Sequence, residues 1–353
     1  MVIMRLPRVA ATALVLGLCV SGCTGGSKPA AKARPKVAML VSSSQTNNAK
    51  EMGAGFLAGA QSAGGVDASV TGPPLNDPPK QAEMLKQLAG DAPGGIAIQA
   101  SNPELISAQL AAAARDGVPL IAIDVKPAGT AGVKTYIGGD NSELGRMLAD
   151  ELVRRLPAGA AGKIVVGSVK PGLSVMDQRA AGVSGELARK LPGLRMMGPF
   201  DTGIDPVANL AAWRRLITAN PDALAFVGTA GPDSVSLAAL HAETKGTWLA
   251  GSFDLDPKGM QGAKDGQLFA LVSPEHFLKG SIAGWLEAVH ASNGKPIPEG
   301  WIYTPGLLVT STNIDKIIER QASDANKLAW FKPQIDKMTA DLSRYVRPLD
   351  QAS

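Results

Sequence analysis

Polar side chains that can hold a ligand by hydrogen bonds follow several short aliphatic runs of the sequence. Asp124 ends the run "VPLIAID" and Asp254 ends the run "TWLAGSFD". Each carboxylate can accept hydrogen bonds from vicinal hydroxyls, which is the chemistry of binding a polyhydroxylated solute. A single aspartate there could equally cap a helix or form a turn, but two at equivalent run ends favour a binding site. Further polar residues in the same setting are 42–48, 99–102, Thr229 and 273–276.

The two cysteines of the chain, Cys19 and Cys23, both lie in the N-terminal stretch "LVLGLCVSGCTGG". An apolar run of residues 9–20 follows Arg5 and Arg8 and ends in small residues, which is typical of a signal peptide. The run is shorter than the ~20 residues that a permanent membrane-spanning helix needs. We therefore expect an exported protein rather than one anchored by a helix.

The residues "VSGC" that end at Cys23 resemble the lipobox of bacterial lipoproteins. The resemblance implies a signal peptide over 1–22, which takes Cys19 with it, and a diacylglycerol group on the sulfur of Cys23. An ordinary cleaved signal with a chance cysteine is the alternative. Residues 23–35 are rich in Gly, Pro, Ala and Lys, as expected of a flexible lipidated tether beside anionic head groups. The predicted location is the outer face of the cell membrane, or the periplasm.

Composition limits the classes of protein that the remainder can belong to. About 300 residues remain after the signal and tether, enough for two domains of ordinary size. The net charge of +4 includes the basic N-terminal segment, so the folded part is close to neutral and no nucleic-acid partner is expected. Aromatic residues make up only 4% of the chain, although sugar sites commonly use aromatic faces.

Short aliphatic runs alternate with longer amphipathic ones from residue 36 onward, which predicts an α/β fold with parallel sheets. The series restarts at "GKIVVGSV", so we expect two doubly wound, Rossmann-like lobes joined by a hinge. Their predicted extents are 36–139 plus 274–306 for the N-terminal lobe and 140–273 plus 307–345 for the C-terminal lobe. Ligands of such sheets bind beyond the carboxyl ends of the strands, which here would face one cleft.

None of the short motifs in the sequence supports an enzymatic function. The glycines of "GAGFLAG", which begins at Gly53, come too late for a dinucleotide site and are interpreted as packing a helix against the sheet. The single "FDTG" at 200–203 lacks the second carboxylate of an aspartic protease and predicts a turn. We expect no cofactor, no metal and no enzyme, with an extracytoplasmic enzyme of unfamiliar type as the rival hypothesis. Metal-ligand spacing is missing from the three histidines, His241, His276 and His290.

Five stretches in order resemble the type I periplasmic sugar-binding proteins of ABC importers, ribose-binding group. They are "KVAMLVSSSQTNN", "GVPLIAID", "MDQRAAG", "LAGSFDLDPKGMQGAKDGQLFALVSPEHFLKG" and "TPGLLVTSTNID". The resemblance implies a two-lobed, monomeric binding protein that captures a sugar, sugar derivative or polyol and delivers it to a membrane permease. A ligand-sensing component of a signalling receptor is the alternative. The ligand contacts that it implies are Asn47, Asp124, Arg179 and Asp254, with Thr229 and Glu275 as further candidates.

The chain departs from the pattern of that family at the expected site. Where the family often has Pro and two aromatics after its Asn pair, Ala49, Lys50 and Glu51 stand here. Val125 replaces the usual Arg after the first aspartate, and Glu275 replaces an expected Gln. Because both stacking and hydrogen-bonding groups have changed, a smaller or acyclic polyol or a modified sugar is as well supported as a standard aldopyranose.

Overall fold

Two β-sheets, each covered by helices on both faces, make up the part of the protein that the computed structural model describes, residues 33–352. This confirms the predicted α/β fold of two doubly wound lobes. The predicted signal peptide, both cysteines and nearly all of the tether lie outside the described residues.

The first lobe contains a seven-stranded sheet and the helices that pack on it. Its elements are β1 (Lys36–Leu40), α1 (Asn47–Ala63), β2 (Asp67–Thr71), α2 (Pro78–Asp91), β3 (Ile96–Ile98), α3 (Pro103–Arg115), β4 (Leu120–Ile123) and β5 (Thr135–Gly138), followed later in the chain by α9 (His276–Asn293), β11 (Gly300–Tyr303), α11 (Asp324–Ala340) and β13 (Val346–Arg347).

The second lobe contains a six-stranded sheet. Its elements are α4 (Asn141–Arg155), β6 (Gly162–Ser168), α5 (Ser174–Lys190), β7 (Leu194–Asp201), α6 (Pro206–Ala219), β8 (Ala223–Val227), α7 (Gly231–Thr244), β9 (Leu249–Phe253), α8 (Pro257–Lys264), β10 (Ala270–Ser273), β12 (Leu307–Val309) and α10 (Ile314–Gln321).

Both sheets are parallel except at one edge. The strand order is β13-β11-β5-β4-β3-β1-β2 in the first and β12-β10-β9-β8-β6-β7 in the second. Only β13 and β12, each at an edge, run antiparallel to their neighbours in these sheets. The carboxyl ends of the parallel strands therefore share one edge of each sheet, where the sequence places its polar residues.

Burial on both faces explains the near-continuous aliphatic character of the strands. In β1, Val37 and Met39 face a core beneath α1, α9 and α11, whereas Ala38 and Leu40 face a second core beneath α2 and α3. The second lobe repeats this arrangement, with α4 and α5 on one face and the other helices, which are α6, α7, α8 and α10, on the opposite face.

The chain passes between the two sheets four times within the described residues. The passages join β5 to α4, β10 to α9, β11 to β12, and α10 to α11. The last passage differs from the expectation that residues 307–345 belong to the second lobe. Phe331, Ile335 and Met338 of α11 pack into the core of the first lobe, where the Phe331 ring stacks on Phe277 at 5.6 Å.

Glycines allow α1 and α9 to pack with their backbones in contact. A Cβ atom at Gly55 would lie 2.1 Å from the Phe277 carbonyl oxygen, and one at Gly284 would lie 2.0 Å from that of Phe56. A Cβ atom added at Gly59 or Gly280 would likewise lie only 2.0 or 1.9 Å from a backbone oxygen of the facing helix. The "GAGFLAG" glycines thus serve mainly helix-to-helix packing, which corrects the sheet contact expected from sequence.

The second lobe uses the same device between α4 and α5. A Cβ atom at Gly182 would lie 2.3 Å from the Ser142 carbonyl oxygen, and one at Gly145 would lie 2.4 Å from that of Arg179. Each lobe therefore carries one helix pair whose register cannot shift without a backbone clash.

None of the helices within residues 33–352 combines the length and apolar character that crossing a membrane requires.

We predict that Gly284→Ala destabilises the protein, because the added methyl group would meet the Phe56 carbonyl rather than a flexible side chain. Overpacking of this kind typically costs about 1 to 3 kcal/mol, measurable as a lower free energy of unfolding in urea. The matched control is Gly185→Ala in α5, where no atom lies within 4 Å of the added methyl group. That variant should gain up to about 1 kcal/mol from helix propensity. Equal stability of the two variants would contradict the packing described.

Candidate functional site

Asp124 and Asp254 occupy equivalent positions in the two lobes. Asp124 follows β4 and Asp254 follows β9, and both adopt the left-handed backbone conformation, with φ of 66° and 67°. Asp is one of the few residue types that tolerate this conformation at modest cost. The turn directs each carboxylate away from its strand and into the region where the lobes meet.

Asp124 is held by donors from its own lobe. Its Oδ1 accepts a hydrogen bond from Lys279 Nζ at 2.5 Å, and its Oδ2 accepts one from Gln99 Nε2 at 3.3 Å. Burial by itself would raise the pKa of this carboxyl, but the neighbouring cations, led by Lys279, outweigh it and hold the pKa well below its ordinary value. The neighbouring cations therefore favour the ionised form of this carboxylate.

Asp254 is held by donors from both lobes. Its Oδ2 accepts a hydrogen bond from the Gly231 backbone N–H at 3.0 Å, and its Oδ1 lies 3.1 Å from His276 Nε2 at the start of α9. Burial would raise the pKa of Asp254, but the His276 hydrogen bond and the Arg179 charge outweigh it, so the pKa lies below its ordinary value.

Arg179 reaches the same place from α5 and is buried. Its Nη1 donates to the Thr229 carbonyl at 2.9 Å and lies 3.8 Å from Asp254 Oδ1. Its Nε donates to Asn141 Oδ1 at 3.1 Å, and its guanidinium lies over the Phe253 ring at 4.9 Å. These contacts fix the planar fork of donors beside the second-lobe aspartate.

Two residues of α9 complete the cluster. His276 belongs to the polar strand-end stretch 273–276 noted in the sequence, whereas Lys279 was not predicted from the sequence to belong to the site. Lys279 is buried against Asp124, and His276 lies between Asp124 and Asp254. Residues three apart share one face of a helix, so a His and a Lys at this spacing directly after a strand end were the available signal. Within residues 33–352 no group of three or more His, Cys, Asp or Glu side chains is arranged to hold a metal ion.

Asn47 lies at the rim rather than in this cluster. It is exposed at the start of α1, and its Nδ2 donates to Asp256 Oδ2 of the second lobe at 2.7 Å. A second bridge at the rim runs from Lys170 Nζ to the Ser101 carbonyl at 2.9 Å. Burial lowers the pKa of Lys170. Both contacts join the two lobes.

Thr229 lies behind Arg179. Its carbonyl accepts the guanidinium hydrogen bond, its hydroxyl accepts one from the Val169 N–H at 3.4 Å, and its own N–H donates to Asp233 at 2.8 Å. Since Thr229 is completely buried, its contribution to the site is to orient Arg179.

Glu275 turns away from the cluster. Its carboxylate accepts hydrogen bonds from Arg320 at 3.0 and 3.2 Å, and its backbone is left-handed, with a φ of 58°. Burial raises the pKa of Glu275, and the Arg320 charge offsets this only in part. Of the six sequence-predicted contacts, the structure therefore brings together Asp124, Arg179 and Asp254, with Thr229 behind them, Asn47 at the rim and Glu275 elsewhere.

Carboxylates, a guanidinium, an ammonium and an imidazole converge from both lobes on one small region. Such a set offers alternating acceptors and donors, which match the hydroxyls of a polar solute better than an apolar surface. The groups are held by packed helices and strand ends, so little ordering is needed when a solute binds.

A protein family and a bacterial relative match this chain. A model of the family described as "Periplasmic binding protein domain" matches residues 32–295. The ribose import binding protein RbsB of Bacillus subtilis (strain 168) is 27% identical over 210 residues, which are 59% of this chain and 66% of that protein. The match thus spans slightly less than two thirds of that relative's length.

Solved structures share the fold. An ABC transporter solute binding protein from Agrobacterium vitis, with bound alpha-D-tagatopyranose, has a TM-score of 0.73 at 23% identity, covering 81% of this chain and 98% of its own. AraP, an arabinose binding protein from Geobacillus stearothermophilus, has a TM-score of 0.70 at 23% identity, covering 80% and 99%. The matched family is one of binding proteins, in agreement with the expectation that the chain is not an enzyme.

We predict that Lys279→Met strongly destabilises the protein, because it leaves the buried Asp124 carboxylate without its main counter-charge. Breaking a buried ion pair from one side typically costs about 3 to 5 kcal/mol. The double variant Asp124→Asn with Lys279→Met should recover much of this loss, as measured by urea unfolding at neutral pH. Lys80→Met, which breaks an exposed pair with Glu83, is the control and should cost less than about 1 kcal/mol. A double variant no more stable than Lys279→Met would refute the pairing.

Proposed function

This chain belongs to the family of periplasmic binding protein domains, and on that basis we propose that it captures a small polyhydroxylated solute between its two lobes. In this role it delivers the solute to the membrane permease of an ABC importer and acts as a monomer. The observation that carries the proposal is the convergence of Asp124 and Asp254, one from each lobe, on a single cluster with Arg179.

The proposed mechanism is closure of the lobes around the solute. A solute that hydrogen-bonds to groups of both lobes is bound fully only when the lobes meet, so binding shifts the equilibrium between open and closed arrangements. The rim bridges Asn47–Asp256 and Lys170–Ser101 belong to the closed arrangement. The four chain passages between the sheets serve as the hinge.

We further propose that the protein is exported and held at the outer face of the cell membrane by lipid on Cys23. The family is one of periplasmic proteins, and the lipobox-like "VSGC" supports the anchor. Residues 24–35 would then span the distance between the membrane and the first strand.

Solute binding tests the central proposal. We expect a thermal-shift screen of sugars and polyols to identify a stabilising solute, since a ligand at 100 times its Kd adds about 2.7 kcal/mol. Asp254→Ala and Arg179→Ala should each weaken that solute's binding at least tenfold in titration calorimetry, because each removes a charge-assisted hydrogen bond worth about 1.5 to 3 kcal/mol. Small-angle scattering should show a smaller radius of gyration with the solute bound.

The matched control for these variants is Asp77→Ala. Asp77 caps α2 by accepting a hydrogen bond from the Lys80 N–H and is exposed. Its loss should lower the melting temperature and leave affinity unchanged. If the two site variants behave in the same way as this control, the aspartate and arginine are structural and the proposed site is wrong.

The anchor is tested separately. Cys23→Ser should abolish lipidation and leave an unprocessed or mislocalised precursor, whereas Cys19→Ser, the control, should have little effect because that residue leaves with the signal. Mass spectrometry of the membrane fraction reports both. An unmodified mature chain that begins at another residue would contradict the proposal.

A further inference from the structure

His276 occupies the space between the two strand-end aspartates. Its Nε2 lies 3.1 Å from Asp254 Oδ1 and its Nδ1 lies 3.7 Å from Asp124 Oδ1. The residue is only 3% exposed, and within residues 33–352 its Nδ1 has no hydrogen-bond partner. The imidazole ring therefore spans the junction of the lobes at the centre of the cluster.

The carboxylate oxygens around this ring are already engaged. Asp124 accepts from Lys279 and Gln99, and Asp254 accepts from Gly231 and His276. A solute that bonds to both aspartates must therefore either displace the imidazole or pass beside it. An imidazole is a five-membered ring of about the size of a furanose, so a sugar ring that bridged the two aspartates would compete with the His276 ring for the same space.

Among residues 33–352, the aromatic side chain beside Asp254 and the first turn of α1 offer no open aromatic face to a sugar ring. The aromatic side chain beside Asp254 is Phe253, which is completely buried and has the Arg179 guanidinium over its ring at 4.9 Å. The first turn of α1 carries Ala49 and Lys50, so it supplies no aromatic side chain to the site either. A cyclic sugar would leave its apolar ring face unsatisfied here.

We propose that His276 is the specificity-determining residue of this site and that it selects acyclic polyols over cyclic sugars. This inference rests on the proposed capture of a polyhydroxylated solute. An extended chain of hydroxyls is narrow enough to lie along the imidazole edge. One hydroxyl can donate a hydrogen bond to the unpartnered Nδ1, which is an acceptor when Nε2–H donates to Asp254, while its neighbours donate to the aspartates. Lys279, which lies beside Asp124, and Arg179, which lies beside Asp254, supply further hydrogen-bond donors to the same chain of hydroxyls.

The test compares acyclic and cyclic probes on the full mature protein. Ribitol and galactitol are titrated by calorimetry beside D-ribose and D-galactose, which match them in carbon number. We expect at least one polyol to bind the wild type at least tenfold more tightly than its matched sugar. His276→Ala should reduce that ratio at least tenfold, because the vacated gap admits the ring. The control His290→Ala alters the same helix near its other end and should leave the ratio unchanged.

The outcomes separate this inference from the proposed function. A wild type that binds the cyclic sugars more tightly overturns the acyclic preference but keeps capture of a polyhydroxylated solute. An unchanged ratio in His276→Ala overturns the role of His276. Binding of none of the four probes contradicts this inference, while the broader screen described above still decides the proposed function. If His276→Ala does not show a cooperative melting transition, His276→Asn, which also shortens the side chain, takes its place in the same titrations.

Discussion

The site depends on backbone contact between α1 and α9. Four glycines, Gly55, Gly59, Gly280 and Gly284, let the two helices approach until carbonyl oxygens of one occupy the space where side chains of the other would begin. At this separation neither helix can slide or rotate without a clash. The start of α9 is consequently held in one position, and with it His276 and Lys279.

The second lobe positions its cation by the same means. Gly145 and Gly182 bring α4 and α5 together, and Arg179 projects from α5 beside them. The two lobes are thus built alike, with a left-handed aspartate after a central strand and a glycine-packed helix pair that carries cations. They are used differently, since Asp124 is neutralised by Lys279 from its own lobe, whereas Asp254 receives His276 from the other.

Charge balance explains how so many ionic groups can be buried together. An isolated buried charge is costly, and mutual attraction offsets that cost only when each group has a well-placed partner. Here Lys279 and Arg179 offset the two aspartates, and both carboxyl pKa values are lowered despite burial. Because the partners come from both lobes, the electrostatics of the site are coupled to how the lobes meet. Occupancy by a solute and closure of the lobes are therefore two aspects of one equilibrium.

The sequence by itself determined the two sheets and the place of their aspartates, because aliphatic periodicity and the carboxyl-end rule are local and topological properties. Only the tertiary structure decided the rest. His276 and Lys279 reach the cluster because α9 packs on a helix far away in sequence. Glu275, one residue earlier, turns to Arg320 through its left-handed backbone. The polar helix α11 could have covered either lobe, and the stack of Phe331 on Phe277 assigned it to the first.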